Sequence, residues 1–500
     1  MPGRSIGIIV IGLRGYGVKG RFMNRPCDVG APIGRPDITE DGFMQIKGKK
    51  VLIIGAAVTG VPVVKEMASM GADVVLNDFK KVDELKEVVA EIEELPIRLV
   101  AGGHPPELAE NCDFVVISPG VPLDIPLVQR AKALGKEVIS EIELAFRLTE
   151  APIAAITGTN GKTTTTALLG EIMKTGRRKA FVTGNIGHAM ILEVKNARPE
   201  DVFVLEVSSF QLESTISFKP RVSAILNITP DHLNRHKTME NYIDAKCKVF
   251  INQDEKDFTI LNGDDPETSR VADRPKSKVL LFSRKKEVAQ GAYLENGQIV
   301  IRIDNKKENI IHKDKIYIPG NHNLENALAA SLMAYCLGVR PSDIAAALES
   351  FKGVEHRIEY VEELEGVIYY NDSKGTNSDA SIKAIEAMKR PTVIIAGGYE
   401  KGSEYDDFIG AFGDVVKHMV LIGKTADKLE RTAHDHGFMN THRARDLKEA
   451  VQKCHELARP GDCVLLSPAC ASWDMFRNYE ERGRLFKEYV RGIKTLVARH

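Results

Sequence analysis

The sequence of 500 residues carries almost no net charge, no long apolar run and few cysteines. Its formal charge of −1 provides no overall attraction to nucleic acid or to an anionic membrane, so anionic ligands need local sites. No apolar run approaches the ~20 residues of a membrane-spanning helix. The seven cysteines are too scattered to suggest a disulfide framework or a metal site. These absences favour a cytoplasmic protein with free, buried thiols, such as Cys463 and Cys470.

The first 43 residues are rich in glycine, arginine and proline and show no sustained period. The apolar stretch Ile6–Leu13 is short, contains glycine and lacks a small-residue cleavage site, so no signal peptide is predicted. Met44 then opens a segment that reads like a natural protein start. We predict that residues 1–43 are a disordered extension or the product of a misassigned start.

Three blocks of sequence then alternate short apolar runs with helical stretches, the pattern of α/β domains built on parallel sheets. At roughly 150 residues per domain, three domains also fit the length. We predict domains at residues 44–141, 142–352 and 353–500, and an alanine-rich helix over Asn323–Leu337. The predicted strands are Val51–Ile54, Ala72–Asn77, Val115–Ile117, Ile153–Ile156, Val202–Val207, Ala224–Ile228, Val367–Tyr370, Thr392–Ala396, Met419–Ile422 and Cys463–Leu466.

A glycine-rich loop, Thr157–Thr163, lies between a predicted strand and a predicted helix. Backbone N–H groups and a helix N-terminus in this setting can hold a polyphosphate. We expect Lys162 to reach the outer phosphates and the Thr163 hydroxyl to bind Mg²⁺. Ile156 stands where the general phosphate-loop pattern has its first glycine, so this loop is a variant. The remaining residues predicted to bind ATP here are Gly158, Thr159, Asn160, Gly161 and Thr164.

This variant loop resembles that of the Mur ligases and folylpolyglutamate synthases, which phosphorylate a carboxylate before an amine attacks it. The resemblance to Mur ligases covers about residues 46–490 in the expected order. Leu465–Phe476 closely resembles the signature of the Mur ligases that add D-glutamate, and Asn371–Asn377 agrees with it. The resemblance implies an α/β fold with a Rossmann-like N-terminal domain, a central ATPase domain with a parallel sheet and a phosphate loop, and a Rossmann-like C-terminal domain.

The resemblance also implies two Mg²⁺ ions, bound by Thr163, Glu206, His232 and a carbamylated Lys246. Taken alone, a glutamate at a strand end is more often a cap or a surface charge, and Lys246 reads as a solvated helical lysine. Carbamylation would turn Lys246 into an anionic oxygen ligand. It requires a neutral amine, so burial that lowers the lysine pKa would favour it.

Further nucleotide contacts are implied for Asn185, Asn323, Asn326, Arg357, Asp372 and Lys374. Asn323 and Asn326 lie on one helix face, and their amides can both donate to and accept from adenine, although asparagine is also a common helix cap. Arg357 is expected to neutralise charge as the γ-phosphoryl group moves. The predicted catalytic residues are Lys162, His232, Lys246 and Arg357.

The first block allows two interpretations. Gly55–Gly60 after a strand, with Asp78 some 23 residues beyond Gly55, is similar to a dinucleotide fingerprint and suggests a nicotinamide enzyme, although Ala57 replaces the middle glycine. The Mur ligase resemblance instead implies that this block binds the UDP group of a peptidoglycan precursor. Lys80 stands where other members have arginine. The contacts implied for the UDP group are Val58, Thr59, Asp78, Lys80, Ser118, Pro119 and Gly120.

For the incoming D-glutamate, the resemblance implies contacts from Thr376, Lys401, Ser472, Trp473 and Tyr479. Lys401 would pair with the side-chain carboxylate, and the hydroxyls of Thr376 and Ser472 would donate to carboxylate oxygens. Trp473 stands where leucine is frequent and Tyr479 where phenylalanine is frequent, so the pocket shape can differ.

Together these features predict a monomeric ligase that joins D-glutamate to UDP-N-acetylmuramoyl-L-alanine at the expense of ATP, through an acyl phosphate. One alternative is another Mur or folylpolyglutamate-type ligase that adds a different amino acid. A second is a nucleotide-binding module without catalysis, but such a module would be expected to lose Lys162, Glu206 or Lys246.

Overall fold

The computed structural model describes residues 9–12, 44–56, 59–399 and 404–497. They form three α/β domains in chain order, each built on its own sheet. No helix in these ranges combines the length and the apolar character that crossing a membrane requires. Five of the six cysteines in these ranges are buried, Cys463 and Cys470 among them, in line with the expectation of buried thiols. Cys336 is half-buried.

The N-terminal sheet has six strands in the order β1-β4-β3-β2-β5-β6, all parallel except β1. β2 lies between β3 and β5, where the strand order reverses, and ligands of such sheets bind beyond the carboxyl ends of the strands. Gly55 follows β2 with φ +98°, and a Cβ there would lie 2.8 Å from Ser118 Cβ, so this turn requires glycine. The elements are β1 (Ile9–Gly12), β2 (Lys50–Ile54), α1 (Gly60–Ser69), β3 (Asp73–Asp78), α2 (Lys86–Ile92), β4 (Arg98–Ala101), β5 (Phe114–Ile117), α3 (Pro126–Ala133), β6 (Glu137–Ile139) and α4 (Glu141–Phe146).

Ile9–Gly12 forms an edge strand, β1, that pairs antiparallel with Arg98–Ala101. This pairing counts against disorder for these four residues, and the interpretation of residues 1–43 as a disordered extension or the product of a misassigned start stays a prediction. An edge strand presents unpaired N–H and C=O groups, and a short apolar segment elsewhere in the chain can satisfy them. Residues 1–8 and 13–43 lie outside the described part of the chain.

The central sheet has nine strands in the order β15-β14-β13-β12-β11-β10-β7-β9-β8. β7 and β9 are buried along their whole length, which is why they read as continuous apolar runs. Only the pairings of β13 with β14 and of β14 with β15 are antiparallel. The strands are β7 (Ile153–Thr157), β8 (Ala180–Gly184), β9 (Val202–Glu206), β10 (Val222–Ile225), β11 (Phe258–Asn262), β12 (Lys278–Ser283), β13 (Gly291–Glu295), β14 (Gln298–Ile303) and β15 (Lys306–His312).

The α-helices of the central domain flank this sheet, and α5 begins at Lys162 directly after the phosphate loop. The predicted strand Ala224–Ile228 is wrong at both ends, since the observed strand is Val222–Ile225. It ends earlier than predicted because the chain leaves the sheet after Ile225, and Asn227 then lies beside the phosphate loop. The predicted alanine-rich helix begins two residues earlier than expected. The helices are α5 (Lys162–Thr175), α6 (Ser209–Leu212), α7 (Leu233–His236), α8 (Met239–Cys247), α9 (Pro266–Arg270), α10 (Asn321–Cys336) and α11 (Pro341–Ser350).

The C-terminal sheet has six strands in the order β16-β17-β21-β18-β19-β20, parallel apart from the β16–β17 pair. The central strands β18 and β21 are buried throughout and carry site loops at their carboxyl ends. The elements are β16 (Glu359–Leu364), β17 (Val367–Asn371), α12 (Ser378–Ala387), β18 (Thr392–Ala396), α13 (Asp406–Gly410), β19 (Val416–Leu421), α14 (Ala426–Asp435), β20 (Thr441–Arg443), α15 (Leu447–Leu457), β21 (Cys463–Leu466) and α16 (Tyr479–Val497).

A buried carboxylate in α4 joins the first two domains. Glu143 is fully buried and accepts hydrogen bonds from the backbone N–H groups of Ile216 (3.0 Å), Ser217 (2.9 Å) and Phe218 (2.8 Å). Arg147 Nε donates to the same carboxylate at 2.8 Å. Burial alone would raise the pKa of Glu143, but the hydrogen bonds from Ser217 and the backbone outweigh it and hold the pKa below the ordinary value.

Replacing Glu143 with glutamine is therefore expected to lower the free energy of unfolding by about 2–3 kcal/mol, because an amide cannot accept all these bonds. The wild-type contribution is fully present above the ordinary glutamate pKa of 4.5 and is lost as pH falls through the lower folded-state pKa. Urea unfolding of the two proteins between pH 3 and pH 7 would measure the difference. The exposed Glu150, changed to glutamine, is the control, and equal loss in both variants would contradict the prediction.

Candidate active site

The phosphate loop is shaped by two glycines and clamped by Asn227. Gly158 has φ +145° and Gly161 has φ +83°, and a Cβ on Gly161 would lie 2.4 Å from Asn326 Oδ1. Asn160 N–H donates to Asn227 Oδ1 at 2.8 Å, and Asn227 Nδ2 donates to the Asn160 carbonyl at 3.1 Å. The loop therefore has a fixed backbone at the N-terminus of α5, as anion binding requires.

Three lysines from separate elements meet at this loop. Lys162 Nζ donates to the carbonyls of Gly158 (2.9 Å) and Thr159 (2.7 Å). Lys246 Nζ donates to the same Gly158 carbonyl at 2.8 Å. Lys374, from the C-terminal domain, donates to Thr163 Oγ1 at 2.9 Å. Burial lowers the pKa of all three lysines.

Lys246 is the most deeply buried of these lysines, with only 2% of its surface exposed. Its Nζ lies 4.4 Å from the centre of the Tyr242 ring. Burial, and then the nearby Lys162, lower the pKa of Lys246 well below the ordinary value, despite an opposing effect of Asp231. The environment therefore favours a neutral amine, which is the form that carbamylation needs.

Glu206 has the properties expected of a metal-binding carboxylate. It ends β9 and is 2% exposed, and its Oε1 accepts from Asn185 Nδ2 at 3.1 Å. Its Oε2 is buried without a hydrogen-bond partner among the described residues. A buried, unsatisfied carboxylate oxygen is costly unless a ligand binds it, and hard oxygen atoms suit Mg²⁺. The donor set of Glu206 and the Thr163 hydroxyl therefore fits a magnesium ion beside the loop.

His232 lies at the start of α7 in the left-handed backbone region, with φ +54°. Its Nε2 is 3.4 Å from Asp231 Oδ2, and its ring centre is 4.8 Å from that of Phe210. The half-exposed imidazole thus lies beside Asp231, which also interacts electrostatically with Lys162 and Lys246. Its binding of metal stays a prediction.

A cavity of about 300 Å³ lies between the central and C-terminal domains, next to the loop. Asn160, Gly161, Thr164, Asn326 and Arg357 line it, and their contact with a nucleotide stays a prediction. Asn323 lines a neighbouring cavity of about 270 Å³, together with Thr164 and Arg357. The sequence reasoning missed His322, which also lines the larger cavity and whose pKa burial lowers to about 4, although the Gly-Asn-His-Asn segment contained the signal.

The two predicted helix asparagines have structural partners as well. Asn326 Oδ1 accepts from Thr165 Oγ1 at 3.2 Å, and Asn326 Nδ2 donates to Asn323 Oδ1 at 3.2 Å. Asn323 Nδ2 donates to the Pro319 carbonyl at 2.7 Å. The bond from Thr165 joins α5 to α10, while the two bonds of Asn323 stay at the N-terminal end of α10.

Asp372 is fully buried, and no cavity described in this section includes it. It accepts from Ser467 Oγ at 2.7 Å and from the Ile358 N–H at 3.2 Å, and Arg357 Nη1 lies 4.0 Å away. Burial raises its pKa to about 6. Its contacts fix the segment that carries Arg357, while a direct contact with ATP stays a prediction.

A third cavity, of about 670 Å³, is bounded by all three domains. It brings together Thr59 and Pro119 from the first domain, Thr163 and Asn185 from the second, and Lys374 and Tyr479 from the third. Sequence reasoning missed several other residues of this cavity, among them His188, Gln211 and Arg484.

The other described residues predicted at the UDP end line none of the three cavities. Ser118 Oγ is buried and donates to the Gly55 carbonyl at 2.9 Å. Asp78 accepts from the N–H groups of Ala56 (2.7 Å) and Lys80 (2.8 Å), so it also shapes the turn. The Lys80 side chain is exposed, and a Cβ at Gly120 would have no described atom within 4 Å. Val58 lies outside the described residues.

At the amino-acid end, Ser472 is buried and Thr376 is half-buried. Trp473 is 62% exposed, and its ring centre is 5.8 Å from that of Tyr399. Trp473 lines none of the three cavities described above. Lys401 lies outside the described residues, so its pairing with a substrate carboxylate stays a prediction.

Arg482 is a fully buried arginine that the sequence reasoning did not identify. Its Nε donates to Ser373 Oγ at 3.0 Å, and its Nη2 donates to the carbonyls of Ser373 (2.8 Å) and Cys470 (3.3 Å). Burial lowers its pKa to about 10. Arg482 therefore binds one residue of each of the two motifs, Asn371–Asn377 and Leu465–Phe476, and fixes their relative position.

Comparisons with known proteins match the same three-domain division. The sequence matches family models for the Mur ligase MurD-like N-terminal domain over residues 49–140, the Mur ligase middle domain over 156–334 and the Mur ligase glutamate ligase domain over 356–470. These matches agree in order with the three sheets.

Curated relatives are similar over their full length. The chain is 52% identical over 453 residues to the UDP-N-acetylmuramoylalanine--D-glutamate ligase of Thermoanaerobacter sp. (strain X514), covering 90% of this chain and 100% of that one. It is 48% identical over 452 residues to the enzyme of the same name from Clostridioides difficile (strain 630), with the same coverage.

Solved structures share the fold at lower identity. The UDP-N-acetylmuramate-alanine ligase MurC from Thermotoga maritima has a TM-score of 0.56 at 20% identity, covering 89% of this chain and 99% of that chain. The MurF ligase from Thermotoga maritima in complex with ADP has a TM-score of 0.54 at 16% identity, covering 84% and 95%. With the full-length curated relatives, the three matched domains and the shared fold, the chain belongs to the Mur ligase family.

Proposed function

We propose that this chain is an ATP-dependent ligase that adds D-glutamate to UDP-N-acetylmuramoyl-L-alanine, a step of peptidoglycan precursor synthesis in the cytoplasm. The observation that carries the proposal is the 670 Å³ cavity, in which a phosphate loop meets residues of both outer domains. A ligase of this kind must bring a nucleotide, an acyl substrate and an amine together. The names of the curated relatives and the Leu465–Phe476 motif support D-glutamate as the amine.

In the first step, a terminal oxygen of the L-alanyl carboxylate attacks the γ-phosphorus of ATP. A phosphorus–oxygen bond forms to the carboxylate while the bond to the bridging oxygen breaks, giving an acyl phosphate and ADP. Lys162, Lys374 and Arg357 surround the loop with positive charge, which stabilises the charge that develops during transfer. No protein nucleophile is needed.

Thr163, Glu206, His232 and a carbamylated Lys246 would hold two Mg²⁺ ions. Bound there, the ions would offset the repulsion between the anionic carboxylate and the triphosphate. The unpartnered Oε2 of Glu206 and the lowered pKa of Lys246 are the features that support this assignment.

In the second step, the amine of D-glutamate attacks the acyl carbon. The resulting tetrahedral intermediate loses phosphate, and the nitrogen loses a proton as the amide forms. Thr376, Ser472 and Tyr479, with Lys401, would position the amino acid. Closure of the domains over the substrates would exclude water, which otherwise hydrolyses an acyl phosphate.

Phosphate release provides the test. With ATP, Mg²⁺ and UDP-N-acetylmuramoyl-L-alanine present, D-glutamate is expected to raise the rate at least about tenfold over L-glutamate, L-lysine or diaminopimelate, because a site built to hydrogen-bond its substrate rejects analogues that leave these groups unpaired. Omitting the UDP substrate is the control. Equal stimulation by another amino acid would overturn the choice of D-glutamate, while no stimulation by any of them would overturn the ligase itself.

A further inference from the structure

A hydrogen bond links the phosphate loop directly to the C-terminal domain. Asn160 Nδ2 donates to a carboxylate oxygen of Asp379, a residue 219 positions away in the chain. Asp379 lies in the first turn of α12, whose start is fixed because the Asn377 side chain accepts from the Ala380 N–H at 2.8 Å. Both partners of the bond are therefore carried by well-defined elements of different domains.

The Asn160 side chain is not needed to shape its own loop. Asn227 already binds the Asn160 main chain on both sides, through the N–H and the carbonyl. The side-chain amide instead donates across the domain boundary. Asp379 in turn lines the 300 Å³ nucleotide cavity beside Arg357 and Lys383, so the bond closes one wall of that cavity.

A second hydrogen bond between the same two domains involves a proposed metal ligand. Lys374 Nζ donates to Thr163 Oγ1, and that hydroxyl is the proposed magnesium ligand, so this bond competes with metal binding. The Asn160–Asp379 bond uses neither Lys162 nor Thr163 and is compatible with a loaded loop. We propose that Asp379 is a positioning residue that latches the C-terminal domain onto the phosphate loop and thereby holds Arg357 and Lys374 at the nucleotide.

This inference rests on the proposed function for its kinetic test. Asp379→Ala is expected to lower kcat/KM for ATP by about tenfold or more, the size expected for a hydrogen bond to a charged group. Asp379→Asn keeps an acceptor oxygen and should recover most of the activity. Asn160→Ala should cause a similar loss. The Asn160→Ala, Asp379→Ala double variant should have a kcat/KM for ATP no lower than that of the less active single variant. Glu386→Ala removes a half-exposed acid of the same helix that pairs with Lys383, and it is the matched control.

Small-angle scattering in the presence of ADP and Mg²⁺ gives a readout that does not depend on turnover. Asp379→Ala should have a larger radius of gyration than wild type and Glu386→Ala, with unchanged thermal unfolding, and Asp379→Asn should match wild type. Additive losses in the double variant, or the same radius in all four proteins, would overturn the latch. A wild type without D-glutamate-dependent turnover would refute the proposed function and leave the scattering test of the latch intact.

Discussion

Lys246→Ala is expected to lower the rate of phosphate release by a hundred- to a thousand-fold, about the loss seen when a group that stabilises transition-state charge is removed. Lys246 is 2% exposed, and it donates to the Gly158 carbonyl of the phosphate loop. Its lowered pKa makes the neutral amine available for carbamylation, and the carbamate would supply an oxygen to the metal. Short carboxylic acids such as acetate should restore part of the activity, because they can offer an oxygen in the space left by the side chain.

The measurement is phosphate release by Lys246→Ala with and without added acetate, alongside thermal unfolding. Lys248→Ala is the matched control, because this half-buried lysine of the same segment donates to the Glu213 carbonyl at 2.6 Å, away from the loop. It should keep nearly full activity. Full activity of Lys246→Ala would contradict its role, and a folded, inactive variant that acetate cannot rescue would contradict the carbamate.

The sequence predicts the parallel core of each domain well, because buried parallel strands are continuous apolar runs that end at glycine or polar loops. Thr392–Ala396 and Cys463–Leu466 are observed with the predicted bounds, and Ile153–Thr157 differs by one residue. Several strands were missed, and two of them are rich in charged residues. Lys306–His312 and Glu359–Leu364 expose charged residues on antiparallel pairs, and such a mixture resembles a loop in a single sequence.

The site residues that could be predicted lie in local motifs at the carboxyl ends of strands, where parallel sheets bind their ligands. Glu206 is an example, since it ends a buried strand and accepts a hydrogen bond from Asn185. Asn227 was missed, although it follows the buried strand Val222–Ile225 and binds the phosphate loop. Arg482 and Asp379 could not be predicted in this way. Their roles depend on contacts with chain segments more than a hundred residues away, and a charged residue on a helix carries no local sign of such a partner.

Glu206→Gln is expected to separate activity from stability. Its Oε1 can still accept from Asn185 Nδ2, so the local structure should remain. The change replaces a buried, charged oxygen that has no hydrogen-bond partner among the described residues by a neutral amide nitrogen, and burying a neutral polar group costs less than burying a charge. The variant should therefore unfold at the same temperature as wild type or at a higher one. Its activity should fall by about a hundred- to a thousand-fold, because an amide nitrogen cannot ligate Mg²⁺.

Titration of phosphate release with Mg²⁺, together with thermal unfolding, would measure both effects. The half-saturating Mg²⁺ concentration should rise in Glu206→Gln and stay unchanged in Glu193→Gln, a partly buried glutamate of the same domain that pairs with His188. A structural role for Glu206 predicts the opposite pattern, with lower stability and an unchanged response to Mg²⁺. If Glu206 binds a cation instead of supporting the fold, Glu206→Gln should be at least as stable as wild type and nearly inactive.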